Sequence, residues 1–252
     1  MKRYSKLIPQ GTRDLLFEEC DDRRNVESIL SALFKEYNYR KVMTPTVEFF
    51  DVFSENDLGI EAEEMYKLSD SLGRTTVLRP DNTAPIARLV ATRLSKEDFP
   101  VKLYYNQNVY VRNKSLAGRA DETEQSGIEF IGDGSIDADI EVISMAYEAL
   151  KRNNVASFKL ELCHAGFFKS ILNKMQKADI CKLIEGKNYA ALGDMLAKFP
   201  DSKEADVIKK LPRLFGDASV INEAKKLYND EKSNEALDYL RSVYEKLCDM
   251  GL

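Results

Sequence analysis

Arg112, Arg119, Gln125 and Glu129 lie close together in a stretch rich in β-favouring residues. Gln125, Gly127 and Glu129 alternate along it, so an extended chain turns the Gln125 and Glu129 side chains to one sheet face. A carboxylate and an amide on one face can receive an ammonium group or an imidazole. A nearby guanidinium can hold a carboxylate or a phosphate through two parallel hydrogen bonds. That combination describes an amino-acid or nucleotide site. An antiparallel sheet with one solvated face carries the same alternation without a ligand, and the pattern alone leaves both readings open.

The rest of the sequence narrows the chemistry. His164 is the only histidine, which excludes a His-based metal cluster and a Ser-His-Asp triad; the simpler role is a hydrogen-bonded residue at a strand end. Cys20, Cys163, Cys181 and Cys248 are scattered with no Cys-x-x-Cys pair, so a zinc ribbon and a disulfide framework are not expected. Glu61, Glu63 and Glu64 read as an acidic loop rather than a metal site, and no metal or cofactor is expected. Charged residues at Asp201, Lys203, Glu204, Asp206, Lys209 and Lys210, and later at Lys225 and Lys226, read as solvated helix faces, with a docking surface for a partner as the alternative. A formal charge of -5 and a pI near 5.3 give no overall attraction to phosphate backbones. No apolar run approaches the roughly 20 residues of a membrane helix, and no signal-peptide core follows Met1, so a cytoplasmic protein is expected.

These residues need a scaffold. Hydrophobic content of 44% with 31% charged residues fits a folded globular chain rather than a disordered one. Val26, Ile29, Leu30, Leu33, Phe34 and Tyr37 recur at helical spacing and predict a long amphipathic helix. Residues 39–53 read as extended, with Pro45 confining any strand to an edge or an end. Residues 77–80 predict a short strand, Asp81 a turn, and Thr83 the cap of a helix carrying Ile86, Leu89, Val90 and Leu94. Residues 101–113 and 124–132 predict an antiparallel hairpin with a loop at Gly118. A helix through Ile136, Ile140, Ile143, Tyr147 and Leu150 follows, then a strand at 158–163. Beyond these, residues 179–252 read as several short helices broken by Gly186, Pro200, Pro212 and Gly216. Strands and helices first, helices alone afterwards, imply an α+β domain at 1–178 with an all-helical addition at 179–252.

Four segments in order resemble a known family. Pro9-Gln10-Gly11-Thr12-Arg13-Asp14 resembles the Pro-x-Gly-Thr-Arg-Asp opening of histidyl-tRNA synthetases and of their paralogue, the ATP phosphoribosyltransferase regulatory subunit. Tyr39-Arg40-Lys41-Val42-Met43-Thr44-Pro45-Thr46-Val47-Glu48 is similar to the first class II synthetase motif, which in that family packs across a dimer interface. Residues 78–88 resemble the Arg-Pro-Glu-x-Thr-Ala-Pro segment, and the hairpin at 105–132 the second class II motif. The resemblance implies a class II synthetase-like antiparallel sheet flanked by helices, with a helical insertion. It also implies a histidine site made by Asp81, Thr83, Arg112, Gln125 and Glu129, with Arg112 and Arg119 at vestigial phosphate positions.

Departures from that pattern fall where a nucleotide would sit. Arg112-Asn113-Lys114 stands in place of Arg-x-Glu, and Arg119-Ala120-Asp121-Glu122-Thr123 in place of Arg-Tyr-Arg-Glu-Phe. Asp81 is a methylene shorter than the usual glutamate. Leu162-Cys163-His164-Ala165-Gly166-Phe167-Phe168 and Leu211-Pro212-Arg213-Leu214-Phe215-Gly216 are similar to segments of the regulatory paralogue. Nothing resembling the third class II motif or an anticodon-binding domain is found before Leu252, so a truncated form is expected. The resemblance therefore implies a non-catalytic regulatory subunit of ATP phosphoribosyltransferase, in the first step of histidine biosynthesis. Such a subunit activates the short catalytic subunit, senses histidine for feedback inhibition, and forms a homodimer within a hetero-oligomer; tRNA is not an expected partner. The alternative is a truncated histidyl-tRNA synthetase.

Overall fold

A computed structural model describes residues 6–54, 60–94, 99–113, 118–175, 180, 183–184, 188–199 and 202–252. Lys114, Cys181, Gly59, Gly186, Pro200 and Asp201 lie outside the described residues. The chain divides into two compact units, Met1–Ala156 and Ser157–Leu252.

In the first unit, helix α1 (Glu18–Glu36) opens with Glu18, Glu19 and Asp21 in its first turn and closes with Lys35 in its last, charges that suit the helix dipole. The chain reverses at Asn38, with φ 64, and enters strand β1 (Arg40–Lys41). Strand β2 (Val47–Phe49) follows Pro45, so the proline separates two short strands rather than interrupting one. A single turn α2 (Asp51–Ser54) leads to β3 (Lys67–Ser69) and β4 (Thr75–Leu78), and these build a three-stranded sheet in the order β2-β4-β3. Helix α3 (Thr83–Leu89) continues as a wider π turn at Val90–Leu94. Thr83 is the first residue of α3 and not its cap, because Asn82 already lies in the helical region of backbone space.

Strands β5 (Val101–Tyr110) and β6 (Glu122–Ile131) form the predicted hairpin, in antiparallel register from Val101 opposite Ile131 to Tyr110 opposite Glu122. β1 joins β5 in parallel, giving a second sheet in the order β1-β5-β6. Helix α4 (Ile136–Arg152) starts at Ser135, whose hydroxyl accepts the Ala138 N–H. Strand alternation gives the hairpin two faces. Tyr104, Ile128 and Phe130 pack with Leu33, Phe34, Tyr39 and Met145, whereas Leu103 and Tyr105 pack with Ile86 and Val90 of the α3 segment. Full burial of each such side chain stabilises the fold by about 1.5–3 kcal/mol. The unit is α+β, with one parallel pair in an otherwise antiparallel arrangement among the described residues.

The second unit is helical: α5 (Ala165–Met175), α6 (Tyr189–Leu196), α7 (Lys203–Lys210), α8 (Ser219–Leu227) and α9 (Glu231–Asp249). The last is long, not one of several short helices, and a capping box of Asp230 and Ser233 starts it. The expected strand at 158–163 is absent, since no described strand lies alongside it and a lone extended segment leaves its backbone groups without a ladder. The units divide at 156/157, whereas the change of period suggested 178, because Phe167, Ile171 and Leu172 of α5 belong to the core formed with Leu196, Ile208, Ala236 and Leu237. Lys203, Asp206, Lys209 and Lys210 are exposed opposite buried Ala205, Val207 and Ile208, as a solvated helix face requires.

Candidate functional site

The turn between β4 and α3 meets the face of β6 that carries Gln125 and Glu129. Gln125 is the joint. Its Oε1 accepts from the Asn82 N–H at 3.2 Å and from Asn82 Nδ2 at 2.8 Å, while its Nε2 donates to Asp81 Oδ1 at 3.1 Å. Two donors at one end of the amide and a carboxylate at the other fix its orientation. The second Asp81 oxygen accepts the Thr83 N–H at 2.5 Å, so the short turn 81–83 is held by its own backbone and by the sheet together.

Glu129 lies one alternation further along β6, next to Thr83 and Tyr105. Burial holds its carboxyl above the ordinary range; a Thr83 hydrogen bond opposes that shift, and the negative field of Asp81 adds to it. The Tyr105 phenol is pushed up to about 12, mainly by burial and further by the charges of Glu129 and Asp81. Tyr105 lies directly opposite Gly127 in the hairpin register. A Cβ on Gly127 would sit 2.5 Å from the Tyr105 hydroxyl oxygen, so the missing side chain is what lets the ring lie across β6. Two carboxylates, an amide, a hydroxyl and a phenol thus converge with no cation among them. The group is suited to an ammonium ion and to the N–H of a heterocycle.

The structure brings together Asp81, Thr83, Gln125 and Glu129. It leaves Arg112 and Arg119 outside that cluster. Arg112 lies five residues beyond Gln107, the cross-strand partner of Gln125, or roughly 17 Å along an extended chain. Its backbone N–H donates to the Glu64 carbonyl at 2.7 Å, and its side chain is exposed, as is Arg119. Among the described residues the Arg112 guanidinium makes no hydrogen bond or ion pair; its charge acts on Asp121 and Tyr66.

Arg79, Asn82, Tyr105 and Asp121 escaped the sequence reading. Gly127 was the available signal for Tyr105, since a glycine inside a strand marks a close approach. Arg79, 3% exposed, is an internal staple: its guanidinium donates to the carbonyls of Thr44 and Asn108, both at 2.8 Å. Gln107 reinforces it, with Nε2 donating to the Thr44 carbonyl at 2.9 Å. Together they pin residues 44–46 against β5. No cluster of three or more His, Cys, Asp or Glu side chains placed to hold a metal occurs among the described residues, and none of the helices they form is long and apolar enough to cross a membrane.

A hairpin sheet backed by two helices, with a polar cluster on its other face, is the core arrangement of class II aminoacyl-tRNA synthetases. A histidine–tRNA ligase subunit of Alicyclobacillus acidocaldarius shares this fold with a TM-score of 0.74 at 23% identity, over 97% of this chain and 77% of that one. The histidyl-tRNA synthetase family model matches residues 11–251, and the chain belongs to that family. Within it, the chain is 43% identical to an ATP phosphoribosyltransferase regulatory subunit of Clostridium novyi, over all of this chain and 62% of the relative. It is 40% identical to one of Clostridium acetobutylicum, over 97% of this chain and 62% of that one. A crystal structure described as an ATP phosphoribosyltransferase regulatory subunit/histidyl-tRNA synthetase from Bacillus halodurans superposes with a TM-score of 0.89 at 33% identity, covering 99% of this chain and 66% of that one. The chain spans about 62% of the length of the curated relatives it matches.

Proposed function

We propose that this chain acts as a non-catalytic regulatory subunit of ATP phosphoribosyltransferase, in the first step of histidine biosynthesis, activating a short catalytic subunit and sensing histidine. The observation that carries the reading is the cluster of Asp81, Thr83, Gln125 and Glu129, assembled and charge-poised while the arginines of a nucleotide site stay outside it. The names of the relatives at 43% and 40% identity support the same assignment. In this reading Asp81 and Thr83 take the ammonium group of histidine, Gln125 holds Asp81 in place, and Glu129 accepts from the imidazole. Arg112, which the resemblance assigns to the ligand carboxylate, lies outside this cluster, and Arg119 is a remnant of a phosphate site.

Histidine regulates only if it binds two assembly states with different affinity. A homodimer through the segment that resembles the first class II motif fits Met43, Val47 and Phe49, which are 72%, 46% and 42% exposed. The chain works in the cytoplasm, where its catalytic partner and substrates are. Phosphoribosyl transfer by the short catalytic subunit, assayed with and without this chain and then with added histidine, tests the proposal. Stimulation by the chain and reversal by histidine are expected; a rate unchanged by the chain refutes it. The family-model match favours one second reading, a histidyl-tRNA synthetase. Histidine-dependent pyrophosphate exchange would establish that reading in place of the first.

A further inference from the structure

Asn82 is fully buried at the boundary where the 81–83 turn enters α3. An asparagine at such a boundary ordinarily turns its side-chain oxygen back to accept a free N–H of the first helical turn. Asn82 makes no cap bond of this kind. Its backbone carbonyl accepts the Ile86 N–H at 3.1 Å, and Asp81 takes the Thr83 N–H. The carboxamide points instead to the sheet, where Nδ2 donates to Gln125 Oε1 at 2.8 Å. Its own Oδ1 is buried and has no hydrogen-bond partner among the described residues.

The neighbours dictate that orientation. The Asn82 N–H, at 3.2 Å, requires an acceptor of Gln125, and Asp81 Oδ1, at 3.1 Å, requires a donor, so the polarity of the Gln125 amide is set from both sides. Turning the Asn82 carboxamide over would set Oδ1 against Gln125 Oε1, two acceptors in contact. Asn82 therefore forgoes a helix cap and leaves a buried oxygen bare, each of which costs stability. Both costs serve one contact with one glutamine. Packing alone does not explain them, because an apolar side chain fills buried space without a bare acceptor.

We propose that Asn82 is a positioning residue: it locks the Gln125 amide with Nε2 toward Asp81, so that one Asp81 oxygen is held by Gln125 and the other by the Thr83 N–H when a ligand arrives. Asn82 acts on the ligand wholly through Gln125. The inference deepens the histidine-site reading above and rests on it for the ligand. The state of Gln125 in the free chain is defined without any ligand.

Hydrogen exchange of the Gln125 side-chain amide, followed by NMR on the full chain and assigned with Gln125→Ala, tests the lock directly. In the wild type the Nε2 hydrogens are expected to exchange at least roughly tenfold more slowly than those of free glutamine. Asn82→Ala should lose most of that protection while its backbone amide spectrum stays folded. Exchange as fast as free glutamine in the wild type, or unchanged in Asn82→Ala, overturns the proposal. Calorimetry with histidine supplies the second arm. Asn82→Ala is expected to bind roughly 2- to 10-fold more weakly, and the same substitution should have no further effect on a Gln125→Ala chain. A second loss of equal size in that background marks a merely structural role and overturns the proposal. Should Asn82→Ala not fold, Asn82→Asp keeps the volume, replaces the donor with an acceptor and enters the same measurements. A wild-type chain that does not bind histidine sinks the pocket reading, and the exchange comparison still decides the role of Asn82.

Discussion

Replacing Glu129 with Gln separates what the site does for a ligand from what it does to the fold. The substitution preserves an acceptor for Thr83 and deletes one of two neighbouring negative charges. Because burial raises the Glu129 pKa above its ordinary value of 4.5, the folded chain keeps this proton to higher pH than the unfolded chain. Between the two values the native state binds more protons, so its stability falls as pH rises through that window. The full cost remains at all higher pH. Glu129→Gln is therefore expected to melt at a higher temperature than wild type at pH 7.5, and the gap should close as pH falls to about 4.5. Ligand binding moves the other way. Loss of one hydrogen bond to a charged group costs about 1.5–3 kcal/mol, or roughly a 10- to 150-fold weaker Kd for histidine. Scanning fluorimetry across pH and calorimetry with histidine read both quantities. A variant that melts lower than wild type at pH 7.5, or binds histidine as wild type does, would refute the reasoning.

Gly127→Ala places a methyl 2.5 Å from the Tyr105 hydroxyl oxygen and 2.7 Å from its ring carbon Cζ. It should destabilise by about 1–3 kcal/mol in urea melts, with partial recovery when Tyr105→Phe removes the nearer atom. Arg88→Ala strands Glu48, whose side chain is 6% exposed and which receives the Arg88 guanidinium at 2.5 Å. Allowing for the 35% exposure of Arg88, the loss is about 2–3 kcal/mol, and Glu48→Gln in the same background should restore most of it. Ser233→Ala removes a fully buried hydroxyl that accepts the Asp230 N–H at 3.1 Å. It should cost about 1–2 kcal/mol and raise hydrogen exchange in α9 before the β5–β6 hairpin responds.

Elements with a strong period were legible in the sequence, and those fixed by distant contacts were not. The α1 stripe from Val26 to Phe34 and the hairpin alternation depend on neighbours three, four or two residues away, and both formed as read. Phe158, Leu160 and Leu162 alternate as a strand would, yet a strand also needs a partner edge, which alternation cannot supply. The extent of α9 was missed because the Tyr228 to Asp230 break is short and the helix restarts on a buried Ser233, whose capping role needs Asp230 in place. At the site, four of the five residues assigned to histidine by resemblance lie together. Their geometry depends on Asn82, an uncharged residue in a turn with no periodic signature, and on a tyrosine visible only through the glycine opposite it.

The engagement of Gln125 has a kinetic and energetic consequence for whatever enters the site. Both ends of its amide are held by Asn82 and Asp81 before any ligand arrives, so the rotamer freedom of a long side chain, about 0.5–1.5 kcal/mol on binding, was surrendered during folding. Asp81 is presented by the same contact. A small ligand would therefore meet polar groups already fixed in place. Discrimination then comes from size and proton placement rather than from induced movement. Any substitution that frees Gln125 should slow capture and loosen the fold together.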